Sequence, residues 1–334
     1  MKASVEIIAN APGRCGIVGN PSDMYGGSVL SCSTQERAEC RLNTDADALT
    51  LMNEDESAVL HTANDLTLRG DKLDIARAAL TLLHINPAQV KFALSLRTDI
   101  PMRAGMAGST AMLAAIVGVL DAYLDLKLSP YHLEETMRKI EARIMGIVCG
   151  FQDQHMAVFG GLNFMDFAGK QSLEQREGEP LATIEPLSKL CPAPPLLLAH
   201  TGLQHHSGTV HQSPRQRWLA GEPLVVRHYE TIGKMAPQGK RALIEKDWKT
   251  LGALMNENHA LVAELGGSGP VNETLIAAAR NAGAYGAKLA GAGGGGTIIA
   301  LTEEPERVGA ALMEAGASRL LTPRPGAGLL VTKN

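Results

Sequence analysis

PMRAGMAGSTAM, residues 101–112, lies between a strand-like run, VKFALSLRT (residues 90–98), and an apolar stretch that continues to Leu124. A strand that ends in a loop of Gly, Ala and Ser and then opens a helix leaves backbone N–H groups unpaired and pointing outward, which is what a phosphate needs. The helix dipole adds partial positive charge at the same place. An ordinary strand-to-helix turn packed with small residues uses the same letters, so the rest of the chain has to decide. The run that follows, AMLAAIVGVLDAYLDL, is apolar around its whole circumference, which predicts a helix buried in the centre of a lobe. Neither G-x-x-x-x-G-K-[ST] nor G-x-G-x-x-G occurs here, so any phosphate is held in another way than by a P-loop or a dinucleotide fingerprint.

Upstream, residues 5–10 read as a strand. The next segment, APGRCGIVGNPSDMYGGSVLSCST (residues 11–34), is dense in Gly and Pro yet carries Arg14, Asn20, Ser22, Asp23 and Tyr25. Polar groups held among turn residues either line a pocket or decorate a surface hairpin. Residues 36–51 alternate like further strands, and residues 71–83 have helical spacing. Downstream, Ser129 caps a helix over residues 130–145, with Pro130 in its first position. The segment GIVCGFQDQHMAVFGGLNFMDF (residues 146–167) then sets Gln152, Asp153, Gln154 and His155 among apolar neighbours. A buried carboxylate is costly unless paired, so Asp153 is either a structural hydrogen-bonding group or a functional one.

Residues 168–195 are polar and then Pro-rich, and read as a linker. A strand over 196–200 opens the second half. His205, His206 and His211 lack i, i+4 spacing and have no Cys or carboxylate partner, which argues against zinc. Arg215 and Arg217 either bind a carboxylate or phosphate or simply solvate a helix start. After helices over 225–265 and 271–282, AKLAGAGGGGTIIAL (residues 287–301) is a second glycine loop, which lets backbone approach a ligand closely. A helix over 304–315 and a strand over 328–332 complete an α+β second lobe.

The 334 residues suit two lobes of roughly 150 residues each. A net charge of −4 without a Lys/Arg-rich run gives no electrostatic footing for nucleic acid or an anionic membrane, and a small-molecule partner fits better. The five cysteines form no CxxC pair, so reduced thiols are expected. With no signal-peptide core at its start and no long apolar run, the chain reads as soluble and cytoplasmic. Homo-oligomerisation is left open.

The order of these segments resembles the GHMP kinases (galactokinase, homoserine, mevalonate and phosphomevalonate kinases) over almost the whole chain. The resemblance is carried by RCGIVGNPSDMYGG, by GMAGSTA where the family has GLSGSSA, by GIVCGFQDQHMAVFGGLNFMDF and by SGTVHQSPRQRW. The last, which the superfamily at large does not require, makes the chain look closest to the glucuronokinases. Such a resemblance implies an α+β, two-lobed fold: a ribosomal protein S5 domain 2-like lobe over residues 1–190 and a ferredoxin-like lobe over 191–334. It implies an ATP- and Mg²⁺-dependent kinase acting on the anomeric C1 hydroxyl of a hexuronic acid or related sugar. By that resemblance Pro101, Arg103, Ala104, Gly105, Met106, Ala107, Gly108, Ser109 and Thr110 wrap the ATP phosphates, and Ser109 and Glu141 lie near Mg²⁺. Asp153 matches the catalytic Asp, with Arg14 orienting it. Asn20, Ser22, Asp23, Tyr25, Gln152, Gln154, Gly293, Gly294 and Arg215 are the implied substrate contacts. The glucuronokinase pattern has a basic residue directly after the Asp, where Gln154 and His155 stand here, so Arg103, Arg215 or Arg217 would have to meet a sugar carboxylate. A heptose 7-phosphate 1-kinase of the same superfamily, which shares the look of GFQDQ followed by FGG, and a non-catalytic nucleotide-binding regulator on the same fold are the alternatives.

Overall fold

The computed structural model describes residues 4–101, 104–170, 178–202, 213–291 and 296–334. Among the described residues, two sheets organise the fold. The first contains β1 (Glu6–Val18), β2 (Ser28–Asn43), β3 (Leu49–Met52), β4 (Ser57–Leu60), then, beyond helix α1 (Asp74–Leu82), β5 (Ala93–Thr98). Helices α2 (Gly108–Leu124), α3 (Pro130–Lys139) and α4 (Gln152–Phe159) follow, with a π-helical turn at Ile140–Ile144 between the last two. Strands β6 (Leu162–Asp166) and β7 (Thr183–Pro186) return to the sheet. The second sheet holds β8 (Leu196–His200), β9 (Gly286–Leu289), β10 (Thr297–Leu301) and β11 (Arg319–Leu321). Between its strands run α5 (Pro214–Leu219), α6 (Pro223–Glu245), α7 (Trp248–Glu264), α8 (Pro270–Asn281) and α9 (Pro305–Glu314). Strand β12 (Leu330–Lys333) ends the chain.

Strand β2 is the spine of the first sheet. It pairs with β1 along most of its length, while its other edge serves β6 through residues 28–32 and β5 through residues 38–43. Helix α2 lies across β1 and β2, and every residue from Thr110 to Leu120 is buried, as its all-round apolar sequence requires. In the second sheet β10 alternates by face: Ile298 and Ala300 pack towards α8 and α9, while Ile299 and Leu301 join the main core with α6 and α7.

Four expectations change. The Gly/Pro-rich segment over residues 11–18 is strand, not loop, because register shifts at Pro12/Arg14 and Gly16/Val18 absorb residues that a regular ladder rejects. The linker over 168–195 contains β7, which pairs with β6. The helix read over 130–145 breaks into α3 and the π-helical turn. Finally, the last strand does not belong to the second lobe: β12 pairs antiparallel with β1, Ile7 opposite Lys333, so the chain ends in the first sheet. Among the described residues no helix is long and apolar enough to cross a membrane.

Candidate active site

The turn before α2 is built for something other than helix capping. Gly105 and Ala107 both have left-handed backbones, φ 73° and 59°, and for an alanine that conformation costs roughly 1–2 kcal/mol. Ala107 occupies the N-cap and offers no side-chain acceptor, so the first N–H groups of this 17-residue helix have no side-chain cap. Ser109 is exposed in that first turn, whereas Thr110 is buried. Ala104 and Met106 are buried beneath the turn, with Pro101 at its entrance.

Arg14, in β1, ties this turn to α4. Its backbone N–H donates to Met106 O (3.1 Å). Its guanidinium donates through Nη1 to Gly105 O, through Nε to Asp153 Oδ1 (2.7 Å) and through Nη2 to Asp153 Oδ2 (3.0 Å). This is a two-pronged arginine–carboxylate pair, which fixes the plane of the carboxylate as well as its charge. Arg14 is buried, but the Asp153 side chain keeps 31% of its exposure, so the carboxylate is both held and reachable. Gln152 Nε2 lies 3.5 Å from the same carboxylate, and its own Oε1 is buried with no hydrogen-bond partner among the described residues.

Behind Asp153, the other polar residues of the segment face inward. The π-helical turn carries Glu141 into the core, where Thr110 Oγ1 donates to its Oε1 (2.7 Å) and Gln154 Nε2 donates to its Oε2. Burial among neutral donors pushes the Glu141 carboxyl up to about 7. His155 is fully buried, with Nδ1 2.7 Å from Phe151 O and against the Glu134 carboxylate. Two cations lie over the Phe151 ring, Arg138 4.9 Å and Lys170 4.7 Å from its centre, and Glu135 accepts from both. Thus a buried charged layer sets the base of α4, and the sequence reading missed it.

The N-terminal polar cluster is also turned inward. Asp23 Oδ2 accepts the N–H groups of Phe151 (2.8 Å) and Gln152 (3.0 Å), so it caps α4. Burial raises its pKa, and those two bonds oppose the rise. Gly150 is required beside it, since a Cβ there would lie 1.9 Å from Asp23 Oδ2. Ser22 is fully buried with its hydroxyl 3.3 Å from Ser28 O, and the Asn20 amide is consumed by Lys288 and Gly291. The implied substrate contacts Asn20, Ser22, Asp23 and Gln154 all make hydrogen bonds within the protein, as buried polar groups do. Tyr25 stacks on Tyr229 (ring centres 4.2 Å apart) and leans on Trp218 (4.9 Å).

The two arginines on α5 differ. Arg217 is locked to Glu222 by two bonds, Nε–Oε2 2.8 Å and Nη2–Oε1 2.6 Å. Arg215 has no ion pair or hydrogen bond among the described residues; its Nε is buried, and its charge acts on the Tyr25 hydroxyl. Arg103, Gly293, Gly294 and the three histidines lie outside the described residues.

A carboxylate fixed by an arginine beside an uncapped helix N-terminus suits proton acceptance next to a bound phosphate. Comparison with known proteins bears on the family. Residues 58–161 match the GHMP kinases N terminal domain, and residues 240–318 match the GHMP kinases C terminal family. Glucuronokinase 1 of Arabidopsis thaliana is 30% identical, the match covering 88% of this chain and 85% of that one. The chain belongs to the GHMP kinases. Members of that family such as these transfer a phosphoryl group from ATP to an alcohol. The mevalonate kinase of Pyrococcus abyssi is 27% identical to this kinase over 97% of each chain. The Lactococcus lactis galactokinase, solved in complex with galactose, superposes on the kinase with a TM-score of 0.75 at 19% identity, over 98% and 95% of the two chains. The two-lobed α+β architecture is therefore the family's.

Proposed function

We propose that this GHMP kinase transfers the γ-phosphoryl group of ATP to the anomeric C1 hydroxyl of a hexuronic acid or a related monosaccharide. The observation that carries the reading is the two-pronged Arg14–Asp153 pair, reachable from outside and joined through Gly105 to the uncapped N-terminus of α2. In this reading the N–H groups at the start of α2 take phosphate oxygens, Asp153 accepts the proton of the acceptor hydroxyl, and Arg14 keeps the carboxylate in plane. The same pair speaks against a non-catalytic regulator, which has no use for a fixed proton acceptor.

Mg²⁺ fits the donors present. Ser109 is exposed, and one residue on, Thr110 reaches Glu141, a buried carboxylate whose hydrogen-bond donors among the described residues are neutral. An oxygen-only set with one carboxylate suits Mg²⁺ shared with substrate phosphates. Bound there, the ion would neutralise charge on the transferring group.

For the acid group of the sugar, Arg215 is the better candidate of the α5 pair, because Arg217 is already matched to Glu222. The sequence position after Asp153 has no say in this, since Gln154 points at Glu141. The identity to the glucuronokinase supports a uronic acid, whereas the mevalonate kinase and a heptose 7-phosphate kinase define the competing acceptors. ADP release over a panel of hexuronic acids, neutral hexoses, heptose 7-phosphate and mevalonate tests the reading. Hexuronic acids should stimulate most. Loss of a charged hydrogen bond in Arg215→Ala should raise their KM about tenfold or more and spare neutral sugars. Stimulation by mevalonate or heptose 7-phosphate alone would replace the uronic acid assignment.

A further inference from the structure

Lys288 lies within the short apolar strand β9 and is 1% exposed. Its ammonium donates to Leu289 O (2.7 Å), Asn20 Oδ1 (2.8 Å) and Gly16 O (3.3 Å), all neutral acceptors. Among the described residues it forms no ion pair. Burial, and then the charge of Arg14, pull it down to about 7. This is an expensive place for an ammonium, and an apolar side chain of the same length would avoid the cost. What the ammonium supplies is a set of donors in fixed positions.

Those donors organise the junction between the two sheets. With its oxygen held by Lys288, the Asn20 amide points Nδ2 at Gly291 O (2.8 Å). Asn258, from α7, clamps the same turn by accepting from Gly19 N (2.9 Å) and donating to Asn20 O (3.0 Å). Gly16 N donates to Ala290 O (2.8 Å). Gly291 is thereby pressed onto the turn before α2: a Cβ at that position would sit 2.7 Å from Gly105 O, the atom that accepts from Arg14. Lys288, Asn20, Gly291, Gly105, Arg14 and Asp153 thus form one chain of contacts from the second sheet to the fixed carboxylate.

We propose that Lys288 is a positioning residue: through Asn20 it clamps Gly291 against the Gly105 turn and so sets the turn before α2 and the Arg14–Asp153 pair relative to each other. It touches neither nucleotide nor acceptor. The inference holds whatever the acceptor is, so its test has one arm that needs none.

That test compares Lys288→Met, Lys288→Arg and Asn20→Asp. The readouts are calorimetric affinity for a non-hydrolysable ATP analogue with Mg²⁺, kcat and KM with any acceptor the wild type turns over, and thermal melting. Lys288→Met should remain folded, lose about tenfold or more in both analogue affinity and kcat, and leave the acceptor KM within about threefold; Lys288→Arg should recover part of the loss. Asn20→Asp keeps an acceptor for the ammonium but replaces the N–H that holds Gly291 by an oxygen. It should reproduce both losses, and it decides the matter even where Lys288→Met does not fold. The proposal is overturned by a folded Lys288→Met, or by Asn20→Asp, with affinity and kcat within about twofold of wild type. A change confined to the acceptor KM overturns it as well.

Discussion

Replacing Arg14 by lysine keeps the charge and removes the geometry. The guanidinium makes three contacts, two to Asp153 at 2.7 and 3.0 Å and one to Gly105 O, and a single ammonium at the end of a shorter fork satisfies at most one of them. A charge-assisted hydrogen bond contributes about 1.5–3 kcal/mol when well buried. Because the Asp153 side chain is 31% exposed, solvent screening reduces this to about 1–1.5 kcal/mol per bond. Losing two bonds then costs about 2–3 kcal/mol, or about 30- to 150-fold if the pair is needed in place in the transition state. Coupled ADP release gives kcat and KM for ATP, and circular dichroism and melting establish that Arg14→Lys is folded. The reasoning predicts that the loss appears in kcat. A folded Arg14→Lys enzyme with kcat within twofold of wild type would show that charge alone suffices, and the geometric argument would be wrong.

Gly291→Ala drives a Cβ to 2.7 Å from a backbone carbonyl, so about 1–3 kcal/mol of overpacking and a drop in kcat are expected. Gly269→Ala, where a Cβ meets nothing, is the control and should leave both unchanged. Thr110→Val removes the 2.7 Å donor to Glu141 and should lower stability in urea by about 1–3 kcal/mol. Glu135 gives a pH test: burial works against its charged form, but Lys170 and then Arg138 outweigh it and hold the carboxyl below its ordinary 4.5. Its contribution is therefore complete above 4.5 and lost as pH falls through the depressed native value. Urea midpoints of wild type and Glu135→Gln, measured from pH 6 to pH 3, should differ most at pH 6 and converge towards pH 3; a constant difference would remove Glu135 from the acid limb.

Much of the fold was legible where burial leaves a periodic trace. Helix α2, apolar on every side, and strands such as β8 and β10 declare themselves locally. The misread elements are those decided by partners far away in the chain. Strand β1 runs through Pro12 and Gly16 because β2 supplies a bulged ladder, and β12 joins β1 across more than three hundred positions. In the site, the nature of the side chains was visible but not their direction. Asp23 and Gln154 look like pocket groups in sequence, yet each answers a buried need, the start of α4 in one case and Glu141 in the other. Lys288 left one signal, a lone ammonium in an otherwise apolar strand, which becomes meaningful only when Gly16 and Asn20 are seen beside it. The Arg14–Asp153 pair spans 139 positions, so only resemblance to a family linked the two before the geometry did.

The central claim is that Asp153 serves phosphoryl transfer and not nucleotide binding. Asp153→Asn keeps the size of the side chain and removes its basicity, and the decisive measurement is single-turnover phosphoryl transfer beside calorimetric affinity for an ATP analogue. The account predicts a fall of about 10²–10⁴ in rate with analogue affinity within about threefold of wild type. An unchanged rate would remove Asp153 from the chemistry and contradict the account.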